Sequence, residues 1–287
     1  MTVKTITLPF RYDQVGSLLR SSNLTEAREQ YKTGTITQNQ LINVENNEIV
    51  RLIEKQKENG VLAITDGEFR RSWWHFDFLG GLDGVEYYEK DKGLDFHQME
   101  TRKEGIRVIG KIGFTTHPFV QHFEFLKQHA GEVVVKQTIP SPNMLIRRVD
   151  MNEEVYQDKE EFKQDIIVAY QKAIQAFYDA GCRYLQLDDT AWADLFSAEG
   201  HEKLRAKGLD PAEELKLMQQ MINESIAKKP EDLTVTMHIC RGNYKSNYFT
   251  SGGYDYASEV IFGGLNVDGL FLEFDDERSG SFEPLKY

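Results

Sequence analysis

Cysteine is scarce in this chain: Cys182 and Cys240 are the only two among 287 residues. Two thiols make no disulfide framework, and a reducing, cytoplasmic setting is the expectation. Long apolar runs are missing as well, so nothing approaches the length of a membrane span. The start, Met1-Thr-Val-Lys-Thr-Ile-Thr-Leu-Pro9, lacks the apolar core of a signal peptide. Positive charge is in deficit, with a formal net charge of −12, which argues against nucleic acid or an anionic membrane as partner. No G-x-G-x-x-G follows the first predicted strand, which counts against a dinucleotide-binding sheet. There is neither a repeat of fixed period nor a low-complexity tract.

What is present is one phrase used again and again: an amphipathic helix, a Gly or Pro stop, a short apolar strand. Residues 37–59 read as a helix, with Thr37 as N-cap and Gly60 as stop, and the strand Val61–Thr65 follows. Residues 72–104, rich in aromatics, charge and glycine, read as a long excursion rather than regular structure, with a strand over 105–114. A helix near 118–129 leads to strand 133–138. The clearest helix covers 158–180, where Phe162, Ile166, Ala169, Tyr170, Ala173, Ile174 and Phe177 share one face before Gly181. Strand 184–188, helix 211–228, strand 233–239, a helix near 254–262 and strand 270–274 complete the series. With an early strand at Gln14–Leu18, six strands are expected. Strands separated by helices imply parallel βαβ crossovers, so the predicted fold class is α/β, a TIM-type (β/α)8 barrel. An open doubly wound sheet is the runner-up. Residues 1–287 are expected to form a single barrel domain, with 72–114 as an insertion over its mouth.

Function in such barrels collects at the C-terminal ends of the strands. Here those ends read Gly16-Ser17, Asp66-Gly67-Glu68, Pro140-Ser-Pro-Asn143, Asp188-Asp189, His238-Ile-Cys240, and Glu273 just before Asp275-Asp276. For each acid singly the bland reading is a solvated loop or an ion pair with Arg70, Arg71 or Arg278, and it suits Asp83 and Asp276. It suits the strand-end set less well, because an isolated buried carboxylate is costly unless paired or metal-bound.

His238 and Cys240 are two residues apart on a strand and so point the same way. An inert core cysteine beside a packed histidine is the plain reading. Imidazole and thiolate are also good zinc ligands. Glu273 sits in the apolar run Gly269-Leu-Phe-Leu-Glu-Phe274 on the next strand, where a charge is anomalous. Together the three make a credible Zn²⁺ set, and three protein ligands with an open fourth position belong to a catalytic site.

In order along the chain, Val15-Gly-Ser17, Asp66-Gly-Glu68, Leu187-Asp-Asp189, His238-Ile-Cys240 and Glu273-x-x-x-x-Arg278 resemble the catalytic domain of cobalamin-independent methionine synthases. Thr65-Asp-Gly-Glu-Phe-Arg70 and Leu187-Asp-Asp-Thr190 are similar to phrases in their short bacterial single-domain relatives. The resemblance runs over essentially the whole chain. It implies a barrel with zinc at its mouth, held by His238, Cys240 and Glu273. It also implies that Asp188 and Glu68 hold the homocysteine amino group, with Ser17 and its backbone at the carboxylate. The partners would be homocysteine and a methyl donor, either methyltetrahydrofolate or a methylated corrinoid.

The chain departs from the family's pattern in four ways. The family's second cysteine ligand, on the last barrel strand, has no counterpart here, since Cys182 lies at the opposite end of its strand. The family histidine that protonates a folate leaving amine has none either. Six strands are two short of a barrel, so the expectation is that the C-terminal portion is missing, with a homodimer covering the open edge of strand six. Room for the N-terminal barrel that helps bind polyglutamylated folate is lacking as well. Trp73, Trp74 and Phe76 are candidates for stacking on a flat donor, or for a hydrophobic rim loop. Two other readings stand beside the first: a methyltransferase for another thiol, such as coenzyme M, and a non-catalytic zinc- or ligand-binding barrel. A metal-free decarboxylase-type barrel leaves the His/Cys/Glu set unexplained.

Overall fold

The computed structural model describes residues 8–10, 13–91, 93, 95–96, 99–244 and 247–287. Residues 1–7, read as free of a signal peptide, lie outside the described residues. Helix α1 (Ser22–Lys32) begins on Ser21, whose hydroxyl accepts from the Leu24 N–H at 3.2 Å. It buries only Leu24 and Ala27, so its sequence carries no apolar stripe and gave no helix signal. Helix α2 (Gln38–Glu58) lies where the sequence predicts it. Thr37 and Gln40 cap each other, Thr37 N–H to Oε1 at 2.8 Å and Gln40 N–H to Oγ1 at 3.3 Å. Strand β1 (Ala63–Ile64) follows.

The excursion after β1 holds more regular structure than its composition suggested. It contains α3 (Phe76–Leu79), β2 (Asp83–Glu89) and β3 (Glu104–Gly113), with β2 antiparallel to β3. The sequence showed β3 but not β2. β2 pairs with a strand well downstream rather than across a tight turn, so no local turn signal marks it.

Helix α4 (Pro118–Ala130) is capped by its own flanking residue, with the Phe119 N–H donating to His117 Nδ1 at 3.1 Å. Lys136 divides the strand predicted at 133–138 into β4 (Val134–Val135) and β5 (Gln137–Pro140). Short α5 (Pro142–Arg148) and β6 (Val149–Asp150) come next, β6 running parallel to β3. Helix α6 (Lys159–Asp179) buries the whole predicted apolar face from Phe162 to Phe177. The chain continues through β7 (Tyr184–Asp189), α7 (Ala198–Ala206), α8 (Pro211–Ile226), β8 (Thr234–Ile239), α9 (Ser258–Gly264) and β9 (Gly269–Leu272). Helices α1, α5 and α7 carry no apolar repeat long enough to be read from sequence.

Strands β5, β7, β8 and β9 form one parallel sheet in that spatial order, and β1 pairs in parallel with β4. Successive strands are spatial neighbours joined by helices, which is the wall of a TIM-type barrel. The predicted strand at Gln14–Leu18 is not one. That segment runs extended along the wall, tied by Thr65 Oγ1 to the Gly16 carbonyl at 2.8 Å, Gln186 Nε2 to the Val15 carbonyl at 2.6 Å and the Leu18 N–H to the Gly67 carbonyl at 3.1 Å. Side chains rather than a backbone ladder hold it. Gly16 has φ 142°, and a Cβ there would stand 2.6 Å from Thr138 Cγ2, so the close approach needs glycine. In the barrel interior the buried Lys136 ammonium meets Asp13 Oδ2 at 3.1 Å and Gln186 Oε1 at 3.2 Å. Among the described residues, no helix is long and apolar enough to cross a membrane.

Candidate active site

The register of the parallel sheet lays one row of residues across the barrel. Pro140 on β5 pairs with Asp188 on β7, Asp188 with His238 on β8, and His238 with Phe271 on β9. Beside this row, at the C-terminal ends of the strands, lies a cavity of about 460 Å³. Its wall includes Ser17, Glu68, Asp188, His238 and Cys240. Five side chains singled out from the sequence therefore share one space. The insertion closes over it with Ser72, Trp73, Trp74, His75, Thr101 and Arg102.

The two acids lie at the inner wall. Glu68 follows Gly67, and both are in the left-handed region, at φ 59° and 65°. A non-glycine residue there is strained. Asp66 Oδ1 steadies the turn by accepting the Glu68 N–H at 2.8 Å. Glu68 Oε1 accepts from Arg71 Nη1 at 3.0 Å and Thr138 Oγ1 at 3.1 Å. Asp188 Oδ1 accepts from Gln186 Nε2 at 2.7 Å. Burial, and next the nearby charge of Glu68, push the Asp188 carboxyl up to about 8. A cation placed beside the two acids would reverse that penalty.

The His/Cys/Glu group stands at the other side of β8. His238 Nδ1 lies 2.9 Å from the Phe271 carbonyl. With a proton on Nδ1, this contact fixes the ring and leaves Nε2 as a lone-pair donor, the arrangement that metal-binding imidazoles adopt. Burial lowers the His238 pKa and so favours the neutral ring that a metal requires. Cys240 Sγ accepts from the Gly242 N–H at 3.2 Å. Burial, and then Glu273, push its thiol up to about 12, so it is a protonated thiol unless a cation joins it.

Glu273 falls one residue beyond β9, not inside the strand as predicted, and it is not part of the cavity wall. Its charge is felt at Cys240, and it accepts the Arg241 N–H at 3.2 Å and pairs with Arg278. Arg278, offered above as a partner for a loop acid, is thus engaged with a candidate ligand. Among the described residues, no three His, Cys, Asp or Glu side chains as placed could hold a metal ion together. The donor chemistry of His238 and Cys240 nevertheless fits one, and Glu273 would join them by turning from Arg278.

Other residues of the cavity had no role assigned from the sequence. Asp189 lines the cavity, but its carboxylate is taken by Ser141 Oγ at 2.6 Å, Asn143 Nδ2 at 3.0 Å, Trp192 Nε1 at 3.0 Å and the Ala191 N–H at 2.6 Å. It organises the loops after β5 and β7. His75, Arg148, Tyr244 and Phe249 also line the cavity. Nothing in their local sequence marks them, because loops distant in sequence bring them together. Of the three aromatics offered for stacking, Trp73 and Trp74 are on the wall, whereas Phe76 is 3 % exposed and packs in the core. Asp83 bonds Thr115 Oγ1 at 2.7 Å and Asp276 caps its own loop at the Arg278 N–H, 3.0 Å, as the bland reading of both had it, without the arginine ion pairs.

The family described as "Cobalamin-independent synthase, Catalytic domain" matches residues 11–251. An uncharacterized protein of Bacillus subtilis, YxjG, is 55% identical over 280 residues, covering 97% of this chain and 74% of its own length. A solved structure from Listeria monocytogenes, of a candidate vitamin-B12-independent methionine synthase, superimposes with a TM-score of 0.78 at 46% identity. It covers 97% of this chain and 76% of that one. The B12-independent methionine synthase of Shewanella sp. W3-18-1, at 18% identity and a TM-score of 0.62 over 84% of this chain and 66% of its own, has the same fold.

Proposed function

The chain belongs to the cobalamin-independent synthase catalytic-domain family, and from that premise we propose that it methylates the thiol of homocysteine to give methionine. The observation that carries this reading is the joining of two features in one cavity: the acid pair Glu68 and Asp188, and the His238–Cys240 donor pair. Homocysteine has an ammonium for the first and a thiol for the second. Glu68 is paired with Arg71, but Asp188 has no cation of its own; a thiol without an ammonium, such as coenzyme M, would leave it so, and an amino-acid thiol suits this site better.

His238 and Cys240, with Glu273 turned inward, would hold Zn²⁺. Bound zinc supplies a charge that converts the substrate thiol, ordinarily near 8.5, to a thiolate at neutral pH. Asp188 and Glu68 hold the ammonium and so direct the sulfur toward the donor. Ser17, exposed at the cavity wall, takes the carboxylate side of the substrate. The sulfur–methyl bond forms as the bond from methyl to nitrogen or cobalt breaks, and the electron pair returns to the donor. An amine donor then takes up a proton. Trp73 and Trp74 line the cavity, where they would stack on a flat donor. The donor is methyltetrahydrofolate or a methylated corrinoid.

Incubating the zinc-loaded protein with homocysteine and either methyltetrahydrofolate or methylcobalamin, and measuring methionine, tests the reading. Methionine formed with one donor supports it. Homocysteine inert with both, while another thiol is methylated, replaces it.

A further inference from the structure

The cavity has a polar feature that neither the acid pair nor the His/Cys/Glu group uses. His75 is only 3 % exposed, and its Nδ1 has no hydrogen-bond partner among the described residues. Its ring is stacked on Trp74 at 4.6 Å and on Phe76 at 4.1 Å, so it is held in place without being satisfied. Arg148, the last residue of α5, lines the same cavity. Its Nε is buried and also without a partner among the described residues.

The two side chains lie within electrostatic reach of each other. Arg148 feels the charge of Asp194 first and then of Asp189; no ion pair joins it to Asp194 among the described residues, and four other donors already occupy the Asp189 carboxylate. Buried polar groups in folded proteins are nearly always satisfied, and exceptions call for an explanation such as a ligand. Arg102, by contrast, is committed: it bonds Ser72 Oγ at 2.8 Å and pairs with Glu104 at 3.5 Å.

The charges felt around the cavity also differ from residue to residue. Asp188 feels Glu68, Arg71 and Lys136, and His238 feels Glu273 and Lys136, whereas the charge felt at His75 is that of Arg148. A guanidinium with free N–H groups matches the planar fork of a carboxylate or the oxygens of a phosphate.

We propose that Arg148 and His75 form an oxyanion subsite of this cavity, made of residues other than the acid pair and the His/Cys pair, which takes a carboxylate or phosphate group. On the methyl-transfer reading, which this assignment to a substrate rests on, that group belongs to the methyl donor rather than to homocysteine. Arg148 supplies charge and a two-pronged contact, and the His75 Nδ1–H adds a third donor.

Calorimetric titration with glutarate and with inorganic phosphate, on wild type, Arg148→Gln, Arg148→Lys and Arg102→Gln, tests the subsite. Thermal melts confirm that each variant folds; the Arg148 Nε has no hydrogen-bond partner to lose among the described residues. The expected result is saturable binding of one anion by wild type, weakened tenfold or more in Arg148→Gln, less in Arg148→Lys and within twofold in Arg102→Gln. Preference for glutarate or phosphate identifies the source of the oxyanion. No saturable binding of either anion by wild type, or equal binding by Arg148→Gln, overturns the subsite. The same variants titrated with homocysteine and methyltetrahydrofolate test its owner. Loss of homocysteine binding alone in Arg148→Gln overturns the assignment to the donor. If anions bind through Arg148 but no thiol is ever methylated, the reaction proposed above fails and the subsite stands.

Discussion

Asp188 and His238 are register partners on adjacent parallel strands, and both line the same cavity. Partners across a parallel pair point to the same face of the sheet, with strands about 4.8 Å apart. An acid suited to an ammonium and an imidazole suited to a metal thus stand one strand spacing apart. That is roughly the span between the amino and thiol groups of homocysteine.

Metal content follows from this placement. Protein purified without chelator should carry about one Zn²⁺ per chain, the occupancy of a single three-ligand site. Cys240→Ser and His238→Ala should each lower it severalfold, and Glu273→Gln less, because its carboxylate is shared with Arg278. Elemental analysis of the purified variants reads this directly. Equal zinc in wild type and Cys240→Ser would remove the site.

Asp188 must be ionised to hold an ammonium, and burial beside Glu68 pushes its carboxyl up to about 8. Affinity for L-methionine, which carries the ammonium but no ionisable thiol, should therefore rise as pH goes from 6 to 8. Asp188→Asn should weaken binding by roughly 10- to 100-fold, the range for a lost charge-assisted hydrogen bond, and flatten the pH dependence. Calorimetry at three pH values decides; a flat wild-type profile would count against Asp188 as the ammonium ligand.

The same shift acts on stability, with a definite sign. Because the folded-state value lies above the ordinary carboxylate value, the folded chain retains a proton that the unfolded chain releases. Asp188 therefore makes the fold less stable as pH rises from about 4 to 8. Asp188→Asn should gain stability over wild type across that window, and the gain should grow with pH. Urea titrations at pH 5 and pH 8 measure the difference, and a gain that does not grow with pH would contradict the cause given.

Gly16 offers a purely steric test. Its Cβ-to-be meets Thr138 Cγ2 at 2.6 Å and its φ is 142°, so Gly16→Ala should cost about 1–3 kcal/mol. Adding Thr138→Ser removes the clashing methyl and should recover part of that cost but not the backbone strain. Chemical denaturation of the single and double variants separates the two contributions.

Much of the molecule was legible in advance, and the reasons are particular. Helix α6 showed itself because an apolar stripe from Phe162 to Phe177 needs burial on one side. The strands β7 and β8 were visible as short apolar runs between Gly or Pro stops. Ser17, Glu68, Asp188, His238 and Cys240 could be named because polar side chains at the ends of apolar strands have no structural reason to be there. Helix α1 was invisible because it buries two side chains only, and β2 because its partner strand lies far along the chain.

Sequence alone settled the alternation of strand and helix, hence a parallel α/β fold, and the chemical types gathered at the strand ends. Both depend on local forces: apolar periodicity, caps and the two-residue repeat of a strand. Tertiary structure decided the rest. It showed that Glu273 leans on Arg278 and Cys240 from beyond its strand, that the segment at Gln14–Leu18 is extended without being a strand, and that His75 and Arg148 meet in the cavity. Those outcomes depend on contacts between residues tens of positions apart, which no local pattern encodes.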